Sequence, residues 1–155
     1  MRTLFFRLFL ALCTITVAIP RAALGQEISG KRNSPARVTT MGGFNAKVFD
    51  SWNGEMALGD CQARKAKLTV YENGSLEWEV ELMSTDTGDE WNQSFDFYDD
   101  PSPGQTSLGN RRGGRFEFKY SNSWRSWRWG GPSSPDPKLA EVFDRIRTVR
   151  WSASC

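Results

Sequence analysis

From residue 44 onward, apolar and polar residues alternate along the chain more often than they recur at helical spacing. Around "KAKLTVY", Ala66, Leu68 and Val70 fall on one face, and Lys65, Lys67, Thr69 and Tyr71 on the other. In "LEWEVEL", Leu76, Trp78, Val80 and Leu82 alternate with Glu77, Glu79 and Glu81. A period of two puts successive side chains on opposite faces of a pleated strand, so both stretches read as half-buried strands. The same pattern recurs with Trp91, Phe95 and Phe97, with Phe116, Phe118 and Tyr120, and with Val149, Trp151, Ala153 and Cys155. A weaker strand runs near "KVFDSW" at 47–52.

Parity decides the turn between the two clearest strands. Directly opposed residues of antiparallel strands share a face. A two-residue Asn73-Gly74 loop would oppose Val70 with Glu77 and mismatch every pair. A three-residue loop, Glu72-Asn73-Gly74, opposes Val70 with Leu76, Leu68 with Trp78 and Ala66 with Val80. It also sets Lys67 against Glu79 and Lys65 against Glu81. A three-residue hairpin loop wants a left-handed residue at its end, and Gly74 supplies it.

Helical spacing occurs once. Leu139, Val142, Phe143 and Ile146 recur at i, i+3, i+4 and i+7, behind Asp136 as N-cap and Pro137 in the first turn. The expected fold is mainly β: a small antiparallel β-barrel or sandwich of six to seven strands, with one helix at about 137–146 before the last strand. Residues 44–155 form this single domain. Residues 26–43, polar and without periodicity, are expected to be a flexible lead-in.

The chain's first 25 residues change the arithmetic. Arg2 and Arg7 precede the apolar run "LFLALCTITVAI", and Ala23 and Gly25 offer a cleavage site before Gln26, the layout of an export signal. The run is shorter than the roughly 20 apolar residues of a stable membrane span. Secretion or periplasmic residence is therefore expected. The full chain has 20 basic and 18 acidic residues; cleavage removes Arg2, Arg7, Arg21 and no acid, leaving 17 against 18. A near-neutral domain has no global field to attract nucleic acid.

Cys13 leaves with the signal, and the remaining Cys61 and Cys155 most simply form a disulfide outside the cytosol. Histidine is absent from the whole chain. That excludes Ser-His-Asp and Cys-His catalysis and the ordinary histidine-containing zinc sites.

Three groups of residues are candidates for function. In "SWRSWRW", Trp124, Trp127 and Trp129 interleave with Arg125 and Arg128. As a strand, it puts Trp127, Trp129 and Arg125 on one face and Trp124 with Arg128 on the other. Such rings suit sugars and such arginines suit acidic groups. The structural alternative is that one face covers the core and an arginine lies over the remaining ring. Arg111 and Arg112, in "SLGNRRGG", fall in a long 99–114 loop and are contacts for an anionic partner. Asp86, Asp89 and Glu90 are weak calcium candidates whose spacing does not match an EF-hand. Asn73 and Asn92 stand in glycosylation sequons.

Charge is segregated: residues 72–100 hold ten acids and no base, and 111–150 hold ten bases and four acids. Neighbouring strands with opposite outer charges would pair these internally. Glu79 or Glu81 beside Trp78 has the residue type of a glycosidase acid, but lysine pairing lowers a carboxylate pKa rather than raising it.

The run "GDCQARKAKLTVYENGSLEWEVELMSTDTGDEWNQSF", with "RTVRWSASC" at the end, resembles a family of small exported bacterial proteins of unknown function over about residues 44–155. The resemblance rests on Gly59-Asp60-Cys61, the glycine-turn hairpin, the "STD…W" segment and the terminal cysteine. It implies one domain and the disulfide, and carries no catalytic residue or cofactor. The expectation is a secreted, disulfide-closed binding module for a glycan or protein, met by the Trp/Arg surface and the 99–114 loop. The rival is a secreted hydrolase using a carboxylate pair, with or without calcium.

Overall fold

The structure, a computed structural model, describes residues 32–52, 54–100 and 106–155. The expected signal segment, 1–25, lies outside them. Eleven strands follow in order: β1 Arg32–Pro35, β2 Arg37–Met41, β3 Phe44–Phe49, β4 Met56–Leu58, β5 Cys61–Tyr71 and β6 Leu76–Ser84, then β7 Glu90–Tyr98, β8 Ser107–Arg112, β9 Phe116–Glu117, β10 Arg125–Gly130 and β11 Thr148–Ser154. They make two antiparallel sheets, one ordered β1-β11-β7-β8 with β9 on β7, the other β10-β6-β5-β3-β2 with β4 on β5. The fold is a sandwich and not a closed barrel.

Apolar faces of both sheets meet in one core. Trp78 of β6, Trp91 and Phe95 of β7 and Trp151 of β11 are each no more than 2% exposed. Trp78 lies 4.9 Å from both Phe95 and Trp151, and Trp52 crosses Trp78 edge-on at 5.5 Å. Tilted and edge-on ring pairs add about 0.5–1.5 kcal/mol each beyond the area they bury. Trp78 touching Trp151 joins the two sheets directly.

The β5–β6 hairpin follows the parity argument near its turn. Val70 pairs with Leu76, Leu68 with Trp78 and Lys67 with Glu79. Gly74 adopts φ 80°, and the Tyr71 amide donates to the Ser75 carbonyl across the three-residue loop. Further along, the register shifts between Arg64 and Lys67, so Arg64 instead of Lys65 stands opposite Glu81. Lys65 sits at φ 52°, a left-handed bulge position that alternation does not reveal. Its long side chain still reaches Glu81, at 2.8 Å.

Several expectations need correction. Residues 32–41 of the supposed lead-in carry β1 and β2, β1 against β11 and β2 against β3. The 99–114 loop contains β8, paired with β7 from Ser94↔Arg112 to Tyr98↔Ser107. The strand "RFEFKY" shrinks to β9; Phe118 is buried, but Tyr120 is 63% exposed. Instead of a helix over 137–146, one helical turn, α1 Pro137–Ala140, precedes a 3-10 turn at Phe143–Arg145. Asp136 does cap α1, accepting from the amides of Lys138 and Leu139.

Past Glu141 the amides of Val142, Arg145 and Ile146 bond three residues back instead of four, and the carbonyls at this end take a side-chain partner. Lys47 of β3 is 3% exposed, and its ammonium donates to the carbonyls of Phe143 (2.6 Å), Asp144 (2.9 Å) and Ile146 (2.9 Å). Burial holds its pKa below the usual lysine value, with the nearby Arg147 charge acting the same way. The apolar spacing of Leu139, Phe143 and Ile146 is satisfied all the same, because all three are buried.

Candidate functional site

The arginine–tryptophan strand is β10, the edge of its sheet beside β6. Trp127 stands opposite Val80 and Trp129 opposite Trp78. Cross-strand partners share a face, so both rings are on the core side of the sheet, where they pack half-buried against the core. Trp127 also leans on Phe116 at 5.5 Å. The Trp127–Trp129 pair is therefore no outward platform. On the opposite face, Trp124 lies beneath the Arg64 guanidinium at 3.9 Å. Arg125 stacks over Tyr120 at 4.9 Å, and Arg128 pairs with Glu77 and Glu79.

The segregated charge resolves only in part, and the acids of β6 pair chiefly with β5 and β10. Lys67 meets Glu79, Arg64 and Lys65 meet Glu81, and Arg128 meets the buried Glu77, which also accepts from Tyr71 at 2.8 Å. Hydrogen bonds from Lys65 and then Arg64 hold Glu81 below the usual carboxylate range. Burial, reinforced by the bond to Glu77, pushes the Tyr71 hydroxyl up to about 12. Arg115 pairs with Glu90 and Arg145 with Asp99.

Arg111 and Arg112 are at the end of β8, the edge of the other sheet. Between that edge and β10 lies a groove of about 600 Å³. Arg111, Arg112, Trp129, Leu76, Pro135 and Asp136 are among its walls. Of the seven ligand-contact residues expected from the sequence, it gathers Arg111, Arg112 and Trp129; Trp124, Arg125, Trp127 and Arg128 are engaged elsewhere.

Backbone contacts shape this groove. A Cβ on Gly114 would collide with the Trp129 pyrrole edge, so the ring lies directly on the chain there. At the hairpin tip, Gly74 abuts the Asp136 carbonyl just as closely, which fixes the loop before α1 against the turn. Asp136 was legible only as a helix cap. Its carboxylate also takes the Arg111 Nε–H, while Arg111 Nη1 donates to the Asn110 carbonyl at 2.7 Å. The Arg111 bond, aided by the Leu139 and Lys138 amides, holds Asp136 below its ordinary pKa against the effect of burial. Arg112 is exposed and makes no ion pair among the described residues. Among the described residues, two guanidinium charges against one carboxylate leave the groove with one net positive charge.

The disulfide joins Cys61 to Cys155 across 94 positions, with Cα atoms 6.1 Å apart. Asp89 lies beside it, accepting from the Ser84 hydroxyl and, at 3.9 Å, near Cys61 Sγ. Among the described residues, the cluster with metal-ligand spacing is Cys61, Asp89 and Cys155, and the disulfide engages both sulfurs. Asp86 and Glu90, the other calcium candidates, stand outside that cluster. Of the sequon asparagines, Asn92 is exposed and Asn73 donates to the Pro132 carbonyl at 3.0 Å. No helix among the described residues is long and apolar enough to cross a membrane.

No curated protein and no solved structure matches the chain. A family model does match residues 67–155, which include β6 through β11, the whole groove and Cys155. On that match the chain belongs to the DUF6294 family, a family of unknown function.

Proposed function

We propose that this protein is an exported, non-catalytic glycan-binding module, with residues 1–25 removed on export and the Cys61–Cys155 bridge formed outside the cytosol. The observation that carries the reading is the groove between β8 and β10. There Trp129, Leu76 and Pro135 supply apolar walls, and Arg111 and Arg112 supply donors. Its volume of about 600 Å³ is within the range of about 300–1,000 Å³ common to small-ligand sites. Sugar rings present one C–H-rich face and a rim of hydroxyls, which an indole and guanidinium groups match.

The carboxylates argue for binding and against hydrolysis. A glycosidase acid needs a raised pKa. Glu81 and Asp136 are both pulled down by their cationic partners, and Glu79 is paired with Lys67. A glycan array probed with the oxidised protein and with Trp129→Ala tests the reading. The wild type should retain a subset of glycans and the variant should lose them. Equal retention by both proteins would remove the groove from the site, and hydrolysis of a retained glycan would overturn the non-catalytic role.

A further inference from the structure

We propose that the groove selects oligosaccharides whose sugar rings carry a carboxylate, with Arg112 as the residue that pairs with that charge; the proposal rests on the glycan-binding reading above.

The first argument is charge left over. Arg64, Lys65, Lys67 and Arg128 face carboxylates on neighbouring strands, and Arg115 and Arg145 have their own acids. Arg112, Lys119, Arg125, Lys138, Arg147 and Arg150 have no ion pair among the described residues, and of these Arg112 is the one that borders the groove. Asp136, the one acid of the groove wall among the described residues, is engaged by Arg111 and by the amides of Lys138 and Leu139. Its charge is thus directed at those donors and does little to repel an incoming anion.

The second argument is fixed geometry. Arg111 is held through Nε by Asp136 and through Nη1 by the Asn110 carbonyl, so its Nη2 is the guanidinium nitrogen those two bonds leave over. Arg112, opposite Ser94 where Arg111 is opposite Phe95, leaves the strand on the other face and borders the groove as an exposed residue, with a planar fork suited to a carboxylate. Trp129, held against Gly114, supplies a wall for the ring that bears the acid. A neutral sugar would use the wall and leave the Arg112 charge unmatched. An acidic peptide would match the charge and make less use of the indole.

The test titrates the oxidised full chain with oligogalacturonate, oligoalginate and hyaluronan fragments, each beside its carboxyl-reduced, neutral counterpart. Calorimetry or tryptophan fluorescence reports binding. At least one acidic oligosaccharide should bind at least about tenfold more tightly than its reduced form, as expected for one charge-assisted pair. Arg112→Gln should erase that preference without moving the melting temperature, because the side chain is exposed. Trp129→Ala should weaken both forms. Equal binding of acidic and reduced forms, unchanged by Arg112→Gln, would overturn carboxylate selection and leave the glycan reading standing. Failure of every acidic and neutral oligosaccharide to bind would overturn both. Tighter binding of polyglutamate or ATP than of any acidic glycan would reassign the groove to a peptide or a nucleotide.

Discussion

Two sets of tryptophans divide this small sandwich. Trp78, Trp91 and Trp151 are no more than 2% exposed and lock the two sheets face to face. Trp124, Trp127 and Trp129 sit on or beside the edge strand β10, half-buried, each against a different neighbour: Arg64, Phe116 and the Gly114 backbone. The same residue type therefore does two jobs, set by whether its strand is central or marginal. Inside, a ring is surrounded and contributes mainly to stability. At the edge, one side of Trp129 remains open to the groove.

The contrast can be broken most forcefully from inside. Trp78→Ala should cost about 3–5 kcal/mol in urea unfolding, the range for emptying a buried aromatic site. A cost under 1 kcal/mol would mean that the inner rings are not what joins the sheets. Next comes the clasp that holds the end of β11, the strand bearing Trp151. Cys155→Ser should cost about 2–4 kcal/mol, somewhat below the chain-entropy figure for so long a loop, since measured bridges often deliver less.

The groove side should respond weakly and with pH. The folded pKa of Asp136 is below its ordinary 3.8. Its stabilising contribution is thus complete above that value and is lost as pH falls through the lower, folded one. Glu81 has the same sign from an ordinary 4.5. Asp136→Asn should cost under about 1 kcal/mol at pH 7, and should reduce the stability lost between neutrality and pH 2. An unaltered pH profile would show that the Arg111–Asp136 pair does not persist in solution. Smallest of all, Arg112→Gln should stay within about 0.5 kcal/mol of wild type in the same unfolding assay. A larger loss would make it a structural residue and not a free one.

The inner set was far more legible in the sequence than the outer one. Strands with one face in the core announce themselves by alternation, which is why β5, β6, β7 and β11 and the pairing near Gly74 could be read directly. The failures fall on edges. Among the described residues β1, β2 and β8 each have one neighbour, and β2 and β8 have no buried residue, so polar stretches such as "RVTTM" and "SLGNRR" carry no period to detect. The alternation of "SWRSWRW" was visible, but its facing was not, because only the pairing with β6 shows which rings turn toward the core. The groove was hidden for a related reason. Arg112 and Trp129 come together only through the packing of two sheet edges. The helix near 140 is shorter than its apolar spacing suggests because that spacing reports which side chains are buried, not where backbone hydrogen bonds go, and from Val142 to Ile146 these step back three residues instead of four.

The position of β11 has a consequence for how the chain is made. It lies between β1 and β7, pairing Arg32 with Trp151 on one side and Tyr98 with Thr148 on the other. During synthesis this sheet cannot grow strand by strand: β7 must wait with a raw flank, and β1 has no other ladder among the described residues. An interrupted chain is therefore not a smaller edition of the fold but one lacking its middle. Such late insertion favours slow folding and leaves unfinished chains prone to sticking to one another.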